Sequence, residues 1–221
     1  VGNRGGTVMI TRTIMTPEHQ LIKLSPKQTL EEGLKIISDN SFLSLPVVED
    51  KKFLGVLHAK NILEDLFLKR ANEEEVSAML KDPLEKHMSV NKAIALDTDY
   101  IETVAEKFSV NNISFVPIVN KKDEFLGIVT QKAIFGLVVR VYGLKDAKVV
   151  IHADDFVGVL SNITRIIEKH GANITNIIQY NTDVMGITEI SIRLKGEQLP
   201  LLVEKLKERG IKVHEFTPQV Q

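Results

Sequence analysis

Apolar residues fall at helical spacing twice in the first two thirds of the chain. Leu30, Leu34 and Ile37 stand at i, i+4 and i+7, and Ile101, Val104, Ala105 and Phe108 at i, i+3, i+4 and i+7, which predicts two helices that each bury one face. Each is followed by a short apolar run that opens on proline, Pro46-Val47-Val48 and Pro117-Ile118-Val119. Proline is tolerated at the first position of a strand, where its missing donor is not needed. Charged turns, Glu49-Asp50-Lys51-Lys52 and Asn120-Lys121-Lys122-Asp123-Glu124, lead into apolar runs at 53–57 and 125–129, so each half contains a hairpin and then a closing helix.

These stretches are two copies of one module. Leu30, Gly33, Leu34, Ile37, Asn40 and Pro46 return at one constant offset as Ile101, Val104, Ala105, Phe108, Asn111 and Pro117. With the offset larger by a single position, Phe53-Leu54-Gly55-Val56-Leu57 returns as Phe125-Leu126-Gly127-Ile128-Val129, and upstream Met15-Thr16 returns as Met88-Ser89 with a further such step. A sustained register of this kind marks a duplicated supersecondary unit. Between the copies, Ile62, Leu63, Leu66, Phe67 and Arg70 keep helical spacing, and the run Glu73-Glu74-Glu75 reads as a solvated face.

Past Tyr142-Gly143 the register disappears and a new order begins: a strand at 148–153, a turn at 154–158, a helix at 159–170, and strands at 173–180 and 187–194. A helix at 199–207 and a last alternating strand at 211–216 complete it. The order βαββαβ closes an antiparallel sheet of four strands with both helices on one face.

Charge and composition narrow the function. The 221 residues carry 28 Lys and Arg against 29 Asp and Glu, a net charge of -1, so no basic field exists to attract nucleic acid or an anionic membrane. No apolar stretch is long enough to span a bilayer. The absence of cysteine rules out disulfides, thiolate metal sites and a cysteine nucleophile, and a cytoplasmic location is the expectation. Residues 1–8 precede Met9, lack an apolar signal core, and read as an extension.

The duplicated pattern resembles a tandem pair of CBS domains, a Bateman module, with copies at about 9–70 and 71–142. The resemblance rests on the Met-Thr or Met-Ser opening, the amphipathic helix, the hydrophobic-Pro-hydrophobic strand, and the Gly-hydrophobic-hydrophobic run before the last helix. It implies two copies packed sheet to sheet, with clefts that often hold adenosine-containing nucleotides. On the family pattern, Met15, Leu45, Pro46 and Val47 of one copy and Met88, Val116, Pro117 and Ile118 of the other match the positions that line those clefts, and Thr16 and Ser89 open them. The same apolar residues also read as ordinary core.

At the polar positions the copies depart from the family. Nucleotide-binding relatives carry Thr or Ser after the Gly-hydrophobic-hydrophobic run and Asp three residues on. The first copy has His58 and Asn61, and the second has Thr130 and Ala133. Asn61 offers one neutral acceptor in place of a carboxylate, and His58 offers a donor to phosphate. Thr130 reads equally as the N-cap of the following helix.

In the last third, Asp155-Phe156-Val157-Gly158-Val159-Leu160 with Gly171-Ala172-Asn173-Ile174 resembles an ACT domain, covering about 146–217. That resemblance implies a ferredoxin-like fold and an amino-acid ligand. Gly158 would free helix amides for a carboxylate, with Asp154, Asp155 and Asn173 holding the ammonium group. Against this, Asp155 can simply be an N-cap, Gly158 a turn residue and Asn173 a strand start. The order of a CBS pair and then an ACT domain is similar to that of the acetoin-utilisation protein B group.

The six histidines are scattered, and neither paired metal ligands nor a nucleophile with its base is apparent. The expectation is therefore an α+β protein, not an enzyme and without a resident cofactor, that binds an adenine nucleotide as a regulatory ligand. The ACT domain would sense a small metabolite or join two chains into a homodimer. The alternative is a ligand-free interaction module acting as the regulatory subunit of a metabolic enzyme.

Overall fold

The computed structural model describes residues 10–90, 93–154, 158–181 and 187–219, so the expected extension at 1–8 lies outside them. Two compact units divide between Phe135 and Gly136.

In the first unit, β1 (Thr16–Pro17) precedes α1 (Leu30–Asp39). Thr29 caps α1: its Oγ1 accepts from Glu32 N at 3.2 Å, and Glu32 Oε2 accepts from Thr29 N at 2.9 Å, a capping box that satisfies two orphan donors. Strands β2 (Ser44–Glu49) and β3 (Lys52–His58) form the first hairpin. Its turn residues Asp50 and Lys51 both have positive φ, as a tight two-residue connection with the strand twist requires.

Helix α2 (Ala59–Lys69) ends at Arg70 in the left-handed conformation, and α3 (Glu73–Lys81) starts anew. The acidic run thus opens a helix instead of merely coating one. Asn72 and Glu75 form a capping box, and the three glutamates meet the positive end of the helix dipole. The second copy then follows as β4 (Ala95–Leu96), α4 (Ile101–Val110), β5 (Phe115–Val119), β6 (Phe125–Thr130) and α5 (Gln131–Tyr142).

The opening segment of each copy pairs with the other copy. Thr16 on β1 registers with Ile128 on β6, and its equivalent Ser89 bridges Val56 on β3, with Val56 N donating to Ser89 O at 2.9 Å and Ser89 N to Val56 O at 2.8 Å. Further upstream, Thr11 N donates to Asp99 O at 2.9 Å and its equivalent Leu84 N donates to Gln28 O at 2.8 Å. Phe53 and its equivalent Phe125 stack with ring centroids 5.8 Å apart, within a cluster that includes Val48, Val56, Phe115 and Ile128. Arg12 also pairs with Asp97, which is only 3% exposed.

This exchange explains the shared glycines. A Cβ on Gly127 would lie 2.2 Å from Thr16 O, and one on Gly55 2.7 Å from Ser89 O. Only glycine lets the opening strand approach so closely.

The second unit contains β7 (Ala147–Asp154), α6 (Val159–Lys169), β8 (Asn173–Asn181), β9 (Ile187–Lys195), α7 (Leu199–Glu208) and β10 (Lys212–Thr217). The sheet order is β10-β7-β9-β8, antiparallel throughout, the ferredoxin-like arrangement expected from the sequence. Val149 and Ile151 of β7 and Ile190, Ile192 and Leu194 of β9 face Ile163 and Ile167 of α6 and Leu202 and Leu206 of α7 in one core. The alternate positions of the strands are thereby left for the opposite face of the sheet.

Gly127→Ala should lower stability by about 1–3 kcal/mol, the usual cost of forcing an atom into a packed contact. Gly55→Ala, with the larger gap, should cost less. Urea unfolding of the two variants checks the order, and a Gly127→Ala chain as stable as the parent would contradict the close crossing.

Candidate functional site

His58 ends β3 and stands at the N-cap of α2, where it makes no side-chain cap hydrogen bond. Asn61 follows one helical turn later, on the same side as His58. The crossing segment of the second copy brings Ser89 to this point, and Asn61 Nδ2 donates to Ser89 Oγ at 3.4 Å. Asn61 and Ser89 therefore meet through an exchange of chain between the copies.

A cleft of about 820 Å³ opens here. Its lining includes the apolar side chains of Phe42 and Leu43 from the loop before β2 and of Leu63 and Phe67 from α2, all exposed. It also includes the polar His58 and Asn61, with Asn112, Ser114 and Gln131 of the second copy. Burial pushes the His58 pKa below its ordinary value, since desolvation disfavours the imidazolium. A neutral imidazole offers one donor and one acceptor. Lys60 on the rim is paired with Glu64 at 3.3 Å. Such a mixed lining offers contact surface for a flat apolar ring and hydrogen-bonding groups for polar substituents.

The equivalent junction of the second copy is occupied differently. Thr130 Oγ1 accepts from Ala133 N at 3.2 Å, so its hydroxyl caps α5. Ala133 packs against the core formed by Val104, Val116, Ile118 and Val129. Thr16 is close by through the pairing of β1 with β6.

The crossing also corrects the grouping of the apolar candidates by copy. Met15 packs on the core of the second copy with Val116 and Ile118, while Met88 packs on that of the first with Leu45 and Val47. The sequence alone cannot distinguish these partners, because a methionine of either copy fits either core. Leu45, Val47, Val116 and Ile118 are at most 5% exposed, and Pro46 and Pro117 are buried in their strands. In this structure these six residues are core.

Of the amino-acid candidates, Asp154 and Asn173 do not come together within one chain. Asp154 ends β7 opposite Ile187, whereas Asn173 begins β8 opposite Lys195, at the end of the sheet where β7 starts. Along β9, from Ile187 to Lys195, eight steps separate these ends, about 26 Å. Gly158 precedes α6 with φ +94° and supports the turn reading. Asp155 lies outside the described residues.

The open face of this sheet carries polar groups that sequence reasoning missed. His152 Nε2 lies 3.3 Å from Glu189 Oε2, Tyr180 OH donates to Glu189 Oε1, and the His152 and His214 rings stack 4.2 Å apart. The bond to Glu189 pushes the Tyr180 pKa up. Alternation along β7 and β9 was the signal available for His152 and Glu189, whereas His214 lies at a register shift in β10 that alternation does not reveal. Among the described residues no three His, Cys, Asp or Glu side chains are placed to hold a metal ion, and no helix is long and apolar enough to cross a membrane.

Comparison with known proteins agrees with this architecture. The CBS domain model matches residues 11–67 and 76–140, and the ACT domain model matches 148–210. A CBS domain-containing protein of Dictyostelium discoideum is 25% identical over 125 residues, covering 55% of this chain and 86% of its own length. An uncharacterized protein of Methanocaldococcus jannaschii is 20% identical over 122 residues, covering 51% of this chain and 44% of the archaeal protein; this chain thus spans less than half of that relative.

Among solved structures, CBSX2 in complex with AMP superposes with a TM-score of 0.52 at 18% identity, over 60% of this chain and 97% of that one. CbpB in complex with c-di-AMP gives 0.52 at 14% identity, over 60% and 86%. The chain belongs to the CBS domain family. It carries two copies of that domain followed by an ACT domain.

Because the folded chain binds fewer protons at His58 than the unfolded chain, this residue leaves stability unaffected well above pH 6.5. It costs stability as the pH falls through the unfolded value of about 6.5. His58→Gln should therefore show a smaller loss of melting temperature between pH 7 and pH 5 than the parent. Identical pH profiles would contradict the burial of this imidazole.

Proposed function

We propose that this protein is a non-catalytic regulatory sensor that binds an adenine nucleotide, AMP, ADP, ATP or a relative, between its CBS repeats. The ACT domain serves as a second sensing or dimerising element, and the assembly acts on a metabolic enzyme in the cytoplasm. The observation that carries this reading is the cleft lined by His58 and Asn61 of one repeat and Asn112, Ser114 and Gln131 of the other together with apolar side chains, with Ser89 hydrogen-bonded to Asn61. The shared fold with an AMP complex and a c-di-AMP complex supports the ligand class. The small net charge supports neither a nucleic acid nor a membrane as partner.

A second reading, a ligand-free interaction module that joins copies or docks on an enzyme, draws on α2, whose Leu63 and Phe67 are 66% and 82% exposed. Exposed apolar residues in a cluster mark interaction sites.

A thermal-shift panel of AMP, ADP, ATP, c-di-AMP, S-adenosylmethionine and amino acids separates the two readings. A ligand at a hundred times its dissociation constant adds about 2.7 kcal/mol, and at least one adenine ligand should raise the melting temperature. Asn61→Asp, which restores a charged acceptor for ribose hydroxyls, should tighten binding about tenfold. Flat curves across the panel would favour the interaction module.

A further inference from the structure

The two junctions differ at one more position. Ser44 on β2 lies directly opposite His58, and its counterpart in the second copy, Phe115, lies directly opposite Thr130. Directly opposed residues share a face of the hairpin, with Cβ atoms about 5 Å apart. Phe115, 4% exposed, fills its side with an aromatic ring packed among Val48, Val56, Phe125 and Ile128. Ser44 has no ring to offer. It is 8% exposed, and its hydroxyl is buried without a hydrogen-bond partner, an arrangement that native structures rarely leave unexplained.

We propose that the clefts are functionally unequal: the His58 side takes one ligand per chain, an adenine nucleoside bearing no more than one phosphate, and the Thr130 side takes none. This rests on the nucleotide reading above and adds stoichiometry, location and ligand charge. Three observations converge on it. On the Thr130 side the ring of Phe115 is taken up in the apolar cluster with Val48, Val56, Phe125 and Ile128, the hydroxyl of Thr130 caps α5, and Ala133 packs against the core. On the His58 side the hydroxyl of Ser44 has no hydrogen-bond partner on the hairpin face it shares with His58, and His58 and Asn61 line an open cleft.

The ligand's charge follows from the lining. Among the described residues around the cleft Lys60 is the one fixed cation, and it is paired with Glu64. The N-terminus of α2 carries no side-chain cap, so its amides favour a single anionic group. A triphosphate would bring several negative charges to a lining whose own charges balance.

Isothermal titration of the full chain with adenosine, AMP and ATP tests this. The expected result is one site per chain for adenosine or AMP, with ATP at least tenfold weaker. Ser44→Phe should reduce affinity at least tenfold. Ser44→Ala, which keeps the space and removes only the hydroxyl, should weaken binding three- to tenfold while raising the melting temperature of the ligand-free chain, and Phe115→Leu should leave affinity and stoichiometry unchanged. Two sites per chain, ATP binding as tightly as AMP, or unaltered binding by Ser44→Ala would overturn the proposal while leaving the nucleotide reading in place. No binding of any of the three ligands would overturn the proposal, and flat melting curves across the whole thermal-shift panel would overturn the nucleotide reading with it.

Discussion

The contact on which this molecule depends is the crossing of each repeat's opening segment onto the hairpin of the other. The backbone bonds between Val56 and Ser89 and the registry of Thr16 with Ile128 lay along each hairpin a segment that it does not encode. Gly55 and Gly127 leave the space that this requires. The stacked rings of Phe53 and Phe125, equivalent residues of the two copies, then close the middle. Packing, the corrected partners of Met15 and Met88, and the position of Ser89 beside Asn61 all follow from the crossing.

Symmetry of the backbone does not require symmetry of the chemistry. Each functional position occurs twice, and the duplication allows one copy to keep a reactive surface while the other becomes structural. His58 and Thr130 occupy equivalent places, yet one sits uncapped at a cleft and the other holds a helix end. A buried polar atom is costly unless partnered. The serine left at position 44 is therefore more telling than any of the exposed side chains around it.

The fold was legible in the sequence wherever its pattern was periodic. Spacing around Leu30 and Ile101 marked the helices, prolines at 46 and 117 marked the strands although each strand begins two residues earlier than expected, and alternation in the last third revealed the order of the ferredoxin-like sheet. What periodicity cannot convey is which equal partner a segment chooses. The crossing satisfies the same hydrophobic pattern as a local fold, and only the two glycines hinted at it. Asn173 looked close to Asp154 because a helix links their strands, but the sheet order β10-β7-β9-β8 places them at opposite ends. His58 and Asn61 were legible by position within a motif, whereas Ser44 becomes informative only beside Phe115 and with knowledge of burial. The second capping box, at Asn72 and Glu75, was readable from residue types but was masked by the acidity of the run.

The mutual loan of strands also sets the smallest piece of this protein that can stand alone. A fragment containing either repeat by itself would carry an orphaned segment and a hairpin with a bare edge, the kind of surface that recruits a neighbouring chain. In recombination or engineering, the heritable brick is consequently the doublet.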